Sequence, residues 1–362
     1  MRYRVLGRSG LRVSAIGLGC NPFGNEVDAA TARRIVDTAI DLGVNYFDTA
    51  DAYSAGRSEE YLGRALAGRR HQVVLATKFG LDGGASRQHI IQACEDSLRR
   101  LGTDYIDVYQ LHRPDRTTPI AETLRALDDL IRQGKVRVIG SSNAFAWEVA
   151  DAQWTARTHG LTPFACCQEF YNLLYRDLEK QMLPFLQAHG LGLIPYFPLA
   201  GGLLSGTYRR GVPPPPGTRG SLRPTFAAWD TDRNWRVQEA LAAFADERGW
   251  SLPGLAIAWL LTRPMLATVI AGADRPEHVQ ENVRALEMES RLGESDLAEI
   301  DRLTLVDEDR SVPPTARTRA RSQGAPAEGP GGRKGPARSA EAGRAGAASS
   351  RRKAPKAQPD RA

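Results

Sequence analysis

The chain is short of cysteine and of long apolar runs. Its four cysteines, Cys20, Cys94, Cys166 and Cys167, form no CxxC pair and no set spaced as metal ligands. That argues against structural zinc and a disulfide scaffold, and for a reducing cytoplasm. No apolar stretch approaches the roughly 20 residues that cross a bilayer, so no membrane insertion is expected. The opening MRYRVLGRSG lacks the apolar core of a secretory signal. A GxGxxG turn after the first strand, the mark of an open doubly wound sheet, is also missing, since GLGCNPFG matches it poorly.

What is present is enough apolar material, 42% of 362 residues, for one large α/β core. The formal charge of +6 is unevenly placed. Residues 310–362 carry thirteen Lys/Arg against three Asp/Glu, which leaves the rest of the chain mildly acidic. After Val312 almost no large apolar residue remains. The expected organisation is a folded domain over 1–306 and a disordered basic tail over 307–362. Such a tail can attract phosphates. It lacks the interleaved aromatics that stack bases, so an extension without a nucleic-acid partner is the reading adopted.

Ahead of the tail, strands and helices alternate. A hairpin over 3–14 is followed by strand 16–20 and helix 28–42, which stops at Gly43. Strand 44–48 leads to helix 58–67, whose Ser58, Glu59 and Glu60 suit the positive end of a helix dipole. Strands 73–78, 105–111, 136–141, 164–168 and 191–196 then alternate with helices 86–101, 119–133, 145–159 and 178–189. A Gly-, Pro- and Arg-rich stretch over 203–229 breaks the rhythm. Helices 233–248 and 253–262, strand 266–270, and helices 276–286 and 294–304 complete the pattern. Eight strand-helix units of near-equal length imply parallel strands with crossover helices, and a closed (β/α)8 TIM barrel rather than an open sheet.

Three of the apolar runs end in chemistry. VNYF runs into Asp48, VVLAT into Lys78 and YIDVYQL into His112, with Tyr53 in the loop after the first. A parallel barrel brings such ends together on one face. A carboxylate there is costly to bury without a cation. Lys78 supplies that cation and, beside Tyr53, favours its phenolate and lowers its pKa. His112 can hold a carbonyl oxygen while Tyr53 gives it a proton. Taken singly, an Asp-Lys pair is a structural ion pair, a strand-end His a hydrogen bonder and a loop Tyr packing. Four at matched strand ends point to chemistry.

The segments FDTADAY, ATKFG, SLRRLGTDYIDVYQLHRPD, GKVRVIGSSN and PYFPLAGGLLSGTY resemble the aldo-keto reductase family, in order and at family spacing up to about residue 305. The loop near 203–229 resembles the branch with potassium-channel β subunits and aflatoxin-aldehyde-type reductases. The resemblance implies a metal-free carbonyl reductase that uses NADP(H), with NAD(H) left open, and a catalytic set of Asp48, Tyr53, Lys78 and His112. It implies that Ser142, Asn143 and Gln168 hold the nicotinamide carboxamide and that Tyr196 stacks on its ring. Read alone, SSN is equally a helix start. It further implies cofactor contacts from Gly19, Cys20 and Asp48, a diphosphate loop containing Leu199 and Gly201 that Arg219 closes, and a nucleoside site of Gly272, Asp274, His278, Glu281 and Asn282. Tyr53, His112, Asn21 and Phe23 are the implied substrate contacts, for a small carbonyl compound.

The chain departs from that pattern in places. Asp274 stands where a small Ser is usual, His278 where Arg or Gln is, Thr207 where Lys is and Phe197 where Ser is. Arg275 can offset Asp274, because guanidinium pairs with phosphate. Arg113 replaces a common Trp and is read as pointing to solvent rather than drawing an acidic substrate. The alternative function on the same fold is a slow, cofactor-sensing subunit. The sequence names neither the substrate nor the oligomeric state.

Overall fold

Parallel strands cannot be joined by tight turns, so each needs a crossover of a dozen or more residues. The computed structural model, which describes residues 1–305 apart from the side chains of Pro224 and Thr225, shows that arrangement throughout. The expected tail over 307–362 lies outside the described residues.

A two-stranded antiparallel hairpin, β1 (Tyr3–Val5) and β2 (Arg12–Ser14), comes first. Eight parallel strands follow: β3 (Ile16–Gly19), β4 (Tyr46–Asp48), β5 (Val74–Phe79), β6 (Ile106–Leu111), β7 (Val136–Ser142), β8 (Cys166–Phe170), β9 (Gly192–Tyr196) and β10 (Val269–Gly272). They pair in chain order, and β10 returns to pair with β3. The ring closes where Leu193 N–H donates to the Met265 carbonyl and Ala267 N–H donates to the Leu193 carbonyl, both at 2.8 Å. The fold is a (β/α)8 barrel.

The crossovers are α1 (Ala29–Asp41), α2 (Arg57–Ala65), α3 (Arg87–Leu101), α4 (Ile120–Arg132), α5 (Ala146–His159) and α6 (Met182–His189). Between β9 and β10 the chain makes a short helix, α7 (Arg219–Leu222), then α8 (Asp232–Asp246) and α9 (Leu252–Leu261). Helices α10 (Pro276–Glu289) and α11 (Glu294–Thr304) follow β10. Caps mark several starts: the side chains of Asp28, Ser86, Thr231 and Ser251 each accept a backbone N–H from their helix.

The hairpin plugs the N-terminal mouth. Leu6 and Val13 pack on Tyr46, Val74, Val108 and Ile194 inside the barrel. Gly7 has φ +53°, and a Cβ there would lie 2.2 Å from the Ala165 carbonyl oxygen, so the turn passes against β8 with no room for a side chain.

Several boundaries differ from the sequence reading. Asn45 is not in a strand, because its side chain clamps the hairpin: it accepts from Ser14 N–H at 2.6 Å and donates to the Arg12 carbonyl at 3.0 Å. Leu266 and Ala267 close the ring instead of opening β10. The helix expected over 178–189 is split, with a 3-10 turn at Asp177–Lys180 and α6 starting at Met182. Pro184 is tolerated only in a helix's first turn, which fixes that start.

Helix α2 starts where the sequence expects, with Glu59 and Glu60 in its first turn. Ser58 is buried and hydrogen-bonds the Cys20 carbonyl at 2.7 Å and Thr49 Oγ1 at 2.8 Å. Glu59 is fully buried, accepting from Arg100 Nε and Thr77 Oγ1, each at 2.6 Å. It is a core ion-pair partner as well as an acid of the helix's first turn. Its neighbour Glu60, among the described residues, makes only a surface pair with Arg64 at 3.6 Å. Glu59→Ala is therefore expected to cost about 2–4 kcal/mol, because Arg100, a quarter exposed, loses its counter-charge. Glu60→Ala should change stability by less than about 0.5 kcal/mol. Urea unfolding midpoints of the two variants check the contrast.

Candidate active site

Side chains alternate in and out along each strand. Tyr46, Ala76, Val108 and Cys166 belong to the apolar cluster inside the barrel. Two residues further along each strand stand Asp48, Lys78, Gln110 and Gln168, all buried. The interior thus changes from apolar to polar toward the C-terminal mouth. Gly140 makes room for this layer, since a Cβ there would meet Cys166 Sγ at 2.6 Å and Gln110 Cγ at 3.3 Å.

Lys78 is the hub. Its ammonium donates to Asp48 Oδ1 at 2.6 Å, to the Thr49 carbonyl at 2.7 Å and to the Tyr53 hydroxyl at 3.4 Å. The other carboxylate oxygen of Asp48 accepts from Gln168 Nε2 at 2.7 Å and Gln110 Nε2 at 3.4 Å. Burial opposes the charge on Lys78, but Asp48 and Tyr53 outweigh it and its pKa is raised. Tyr53 moves opposite to the sequence expectation. Burial raises its pKa, Lys78 pulls it down, and burial wins, so the hydroxyl keeps its proton beyond its ordinary value of 10.0.

His112 meets Tyr53 edge-on, with ring centroids 5.7 Å apart. Burial, with Lys78 and Arg113 nearby, holds its pKa well below the ordinary 6.5. The imidazole is neutral at neutral pH. Its Nδ1 is buried and, among the described residues, has no hydrogen-bond partner, which leaves Nε2 as the nitrogen to meet a ligand.

The loop carrying Tyr53 is strained. Ser54 and Ala55 are consecutive non-glycine residues at φ +52° and +54°, a conformation that costs about 1 kcal/mol or more per residue. Ser54 Oγ holds it by donating to the Phe23 carbonyl at 2.9 Å. Phe23 is fully buried, packed with the core beneath α1 and α2. It offers a substrate no surface and serves the site as the anchor of this loop. Cys20 is also fully buried, and its N–H is spent on the Asp48 carbonyl at 2.8 Å. Gly19 pairs with Asp48 and Gly272 in the sheet, and Asn21 is half-buried behind them.

On the far side, Asn143 Nδ2 donates to the His112 carbonyl and to Ser142 Oγ, both at 3.0 Å. The Tyr196 hydroxyl donates to Asn143 Oδ1 at 2.5 Å. Ser142, Asn143, Gln168 and Tyr196 thus stand with the Asp48–Lys78 group around one mouth. Phe170, Tyr196, Phe197 and Trp229 pack beside them as a cluster of edge-on and tilted rings.

From Phe197 a cavity of about 1270 Å³ runs to the first turn of α10. Leu199, Gly201, Arg219, Gly272, Asp274, His278, Glu281 and Asn282 line it; the four strand-end residues do not. Gly201 has φ +67°, and a Cβ there would strike the Trp229 ring at 2.5 Å. Arg219 lies 5.3 Å over the Phe197 ring and, among the described residues, makes no side-chain hydrogen bond or ion pair. Burial lowers its pKa. A partly desolvated guanidinium, with Glu26 near enough to act on its charge but not paired to it, beside a glycine-lined backbone in an elongated cavity, fits a diphosphate. The Arg275 guanidinium lies 3.9 Å from Asp274.

Gln110 was missed from sequence. It sits in an apolar run, but its place two residues before His112 puts both on one face. Among the described residues no helix is long and apolar enough to cross a membrane.

The aldo/keto reductase family model matches residues 15–304. A relative from Arabidopsis thaliana, named probable voltage-gated potassium channel subunit beta, is 38% identical over 302 residues, covering 80% of this chain and 92% of the relative. One of the same name from Oryza sativa subsp. japonica gives the same figures. A putative voltage-gated potassium channel subunit beta from Schizosaccharomyces pombe is 38% identical over 320 residues, covering 83% of this chain and 92% of the relative. Matched from the edge of the first barrel strand to the last described helix, the chain belongs to the aldo/keto reductase family.

Proposed function

We propose that the chain reduces small aldehydes or ketones to alcohols with a reduced nicotinamide dinucleotide, of the NADP(H) or NAD(H) type. The observation that carries this is the Lys78 ammonium joining the Asp48 carboxylate to the Tyr53 hydroxyl, with His112 edge-on to that tyrosine. The bound dinucleotide supplies the hydride. Ser142, Asn143 and Gln168 would hold its carboxamide, Tyr196 would lie beside its ring, and Gly201 with Arg219 would hold its diphosphate.

His112 Nε2–H donates to the carbonyl oxygen and positions it. Tyr53 gives that oxygen its proton as negative charge develops there. Lys78 stabilises the phenolate left behind, and Asp48 keeps Lys78 charged and aimed. Burial keeps Tyr53 protonated at neutral pH, as a proton donor requires. The four cysteines are free and buried, which fits a reducing cytoplasm. The chain's basic end, beyond the described residues, is taken as an extension of the reductase domain.

The names of the relatives favour a second reading, an accessory subunit that binds the dinucleotide and turns over slowly. Retention of dinucleotide through dialysis, with no measurable loss of reduced-nicotinamide absorbance on aromatic aldehydes, would select it.

Tyr53→Phe is expected to lower the reduction rate by about 10²–10⁴-fold, the usual worth of a positioned acid, while dinucleotide binding measured by fluorescence is unchanged. Full turnover in that variant would exclude Tyr53 as the donor. The pH profile gives an independent check. His112 must be neutral and Tyr53 protonated; the first is lost only as pH falls well below 6.5 and the second only as pH rises above 10.0. The reduction rate should therefore be flat across neutral pH. An inflection near 6.5 would remove the neutral imidazole from the mechanism.

A further inference from the structure

The far end of the 1270 Å³ cavity carries a charge arrangement that the reaction does not use. Asp274 Oδ1 accepts from His278 Nδ1 at 2.8 Å, and Arg275 lies 3.9 Å from the same oxygen. Asp274 and Arg275 are 51% and 58% exposed, so both are within reach of a ligand. Glu281 and Arg284 line the wall one turn further along α10. Across the cavity, Glu26 is tied to Arg223 by a guanidinium hydrogen bond at 2.6 Å. The hydrogen bond from His278 is the main cause holding the Asp274 carboxyl below its usual range, so it is a carboxylate at neutral pH.

A carboxylate beside an adenosine ribose can accept from a 2′-hydroxyl, whereas a 2′-phosphate has no proton to give it and meets like charge. Phosphate recognition needs guanidinium or ammonium groups free to fork onto it. Here the nearest guanidinium already leans on Asp274, and His278 Nδ1 is spent on the same carboxylate. Resting on the reductase reading above, we propose that this end of the cavity selects a ribose 2′-hydroxyl over a 2′-phosphate. The chain then binds NAD(H) at least as tightly as NADP(H), and Asp274 is the residue that sets the choice.

The test is equilibrium titration of the full chain with NADH and with NADPH, read by quenching of tryptophan fluorescence, with 5′-AMP and 2′,5′-ADP as competing probes of the nucleoside end alone. NADH should bind at least as tightly as NADPH, and 5′-AMP should compete at least as well as 2′,5′-ADP. Asp274→Ser should move the NADPH-to-NADH affinity ratio about tenfold or more toward NADPH. A circular dichroism spectrum and a thermal unfolding midpoint matching the wild type show that the variant is folded. Tenfold tighter NADPH in the wild type, or a ratio unmoved by Asp274→Ser, overturns the selection while leaving the reductase reading in place. Binding of neither dinucleotide overturns both.

Discussion

A buried ion pair between Lys78 and Asp48 governs the C-terminal mouth of this barrel. Taking two charges out of water costs several kcal/mol per ion, and mutual attraction repays that only when the remaining donors and acceptors are also met. Here they are. All three ammonium protons have acceptors, and both carboxylate oxygens have donors. Those partners come from β4, β5, β6, β8 and the loop after β4, so the pair ties most of one side of the barrel to a single geometry. The loop with the strained turn at Ser54 and Ala55 touches the same group through the Tyr53 hydroxyl and is held from the other side by the Phe23 carbonyl. Removing either ion would leave its partner uncompensated in the interior and release the tyrosine loop as well.

Burial and charge compete at this mouth, and the outcome differs from residue to residue. At Lys78 the neighbouring carboxylate outweighs burial, and the ammonium persists. At Tyr53 burial outweighs the ammonium, and the phenol keeps its proton. At His112 burial and two nearby cations act together, and the imidazole is neutral. The three groups are thus set in the states that the proposed proton donation needs, without any titrating near neutral pH.

Much of this was legible in the sequence, for a simple reason. A strand buried on both faces is an apolar run, and the residue where the run ends marks the catalytic face. Asp48, Lys78 and His112 could be placed by that rule, as could the alternation that makes the barrel. Gln110 could not, because it interrupts an apolar run without ending it. The burial of Glu59 and Phe23 was not legible for another reason: a helix-start acid and a loop aromatic look alike whether solvent or another helix lies beside them. Only packing separates the two. The seat of Arg219 over Phe197 and the Asp274–His278 contact depend on where side chains meet in three dimensions, which spacing does not encode.

The pairing of β10 with β3 sets a condition on how the chain is made. The first strand of the barrel waits for a neighbour about 250 residues downstream, a separation that makes closure slow and late. Until Val269 and its neighbours leave the ribosome, Ile16–Gly19 offers one open sheet edge and Leu193 stands at the other. Open edges are templates for pairing with other chains. The hairpin that plugs the N-terminal mouth is complete by Ser14, so it is available from the start of synthesis to shield the lower end of a barrel still lacking one wall.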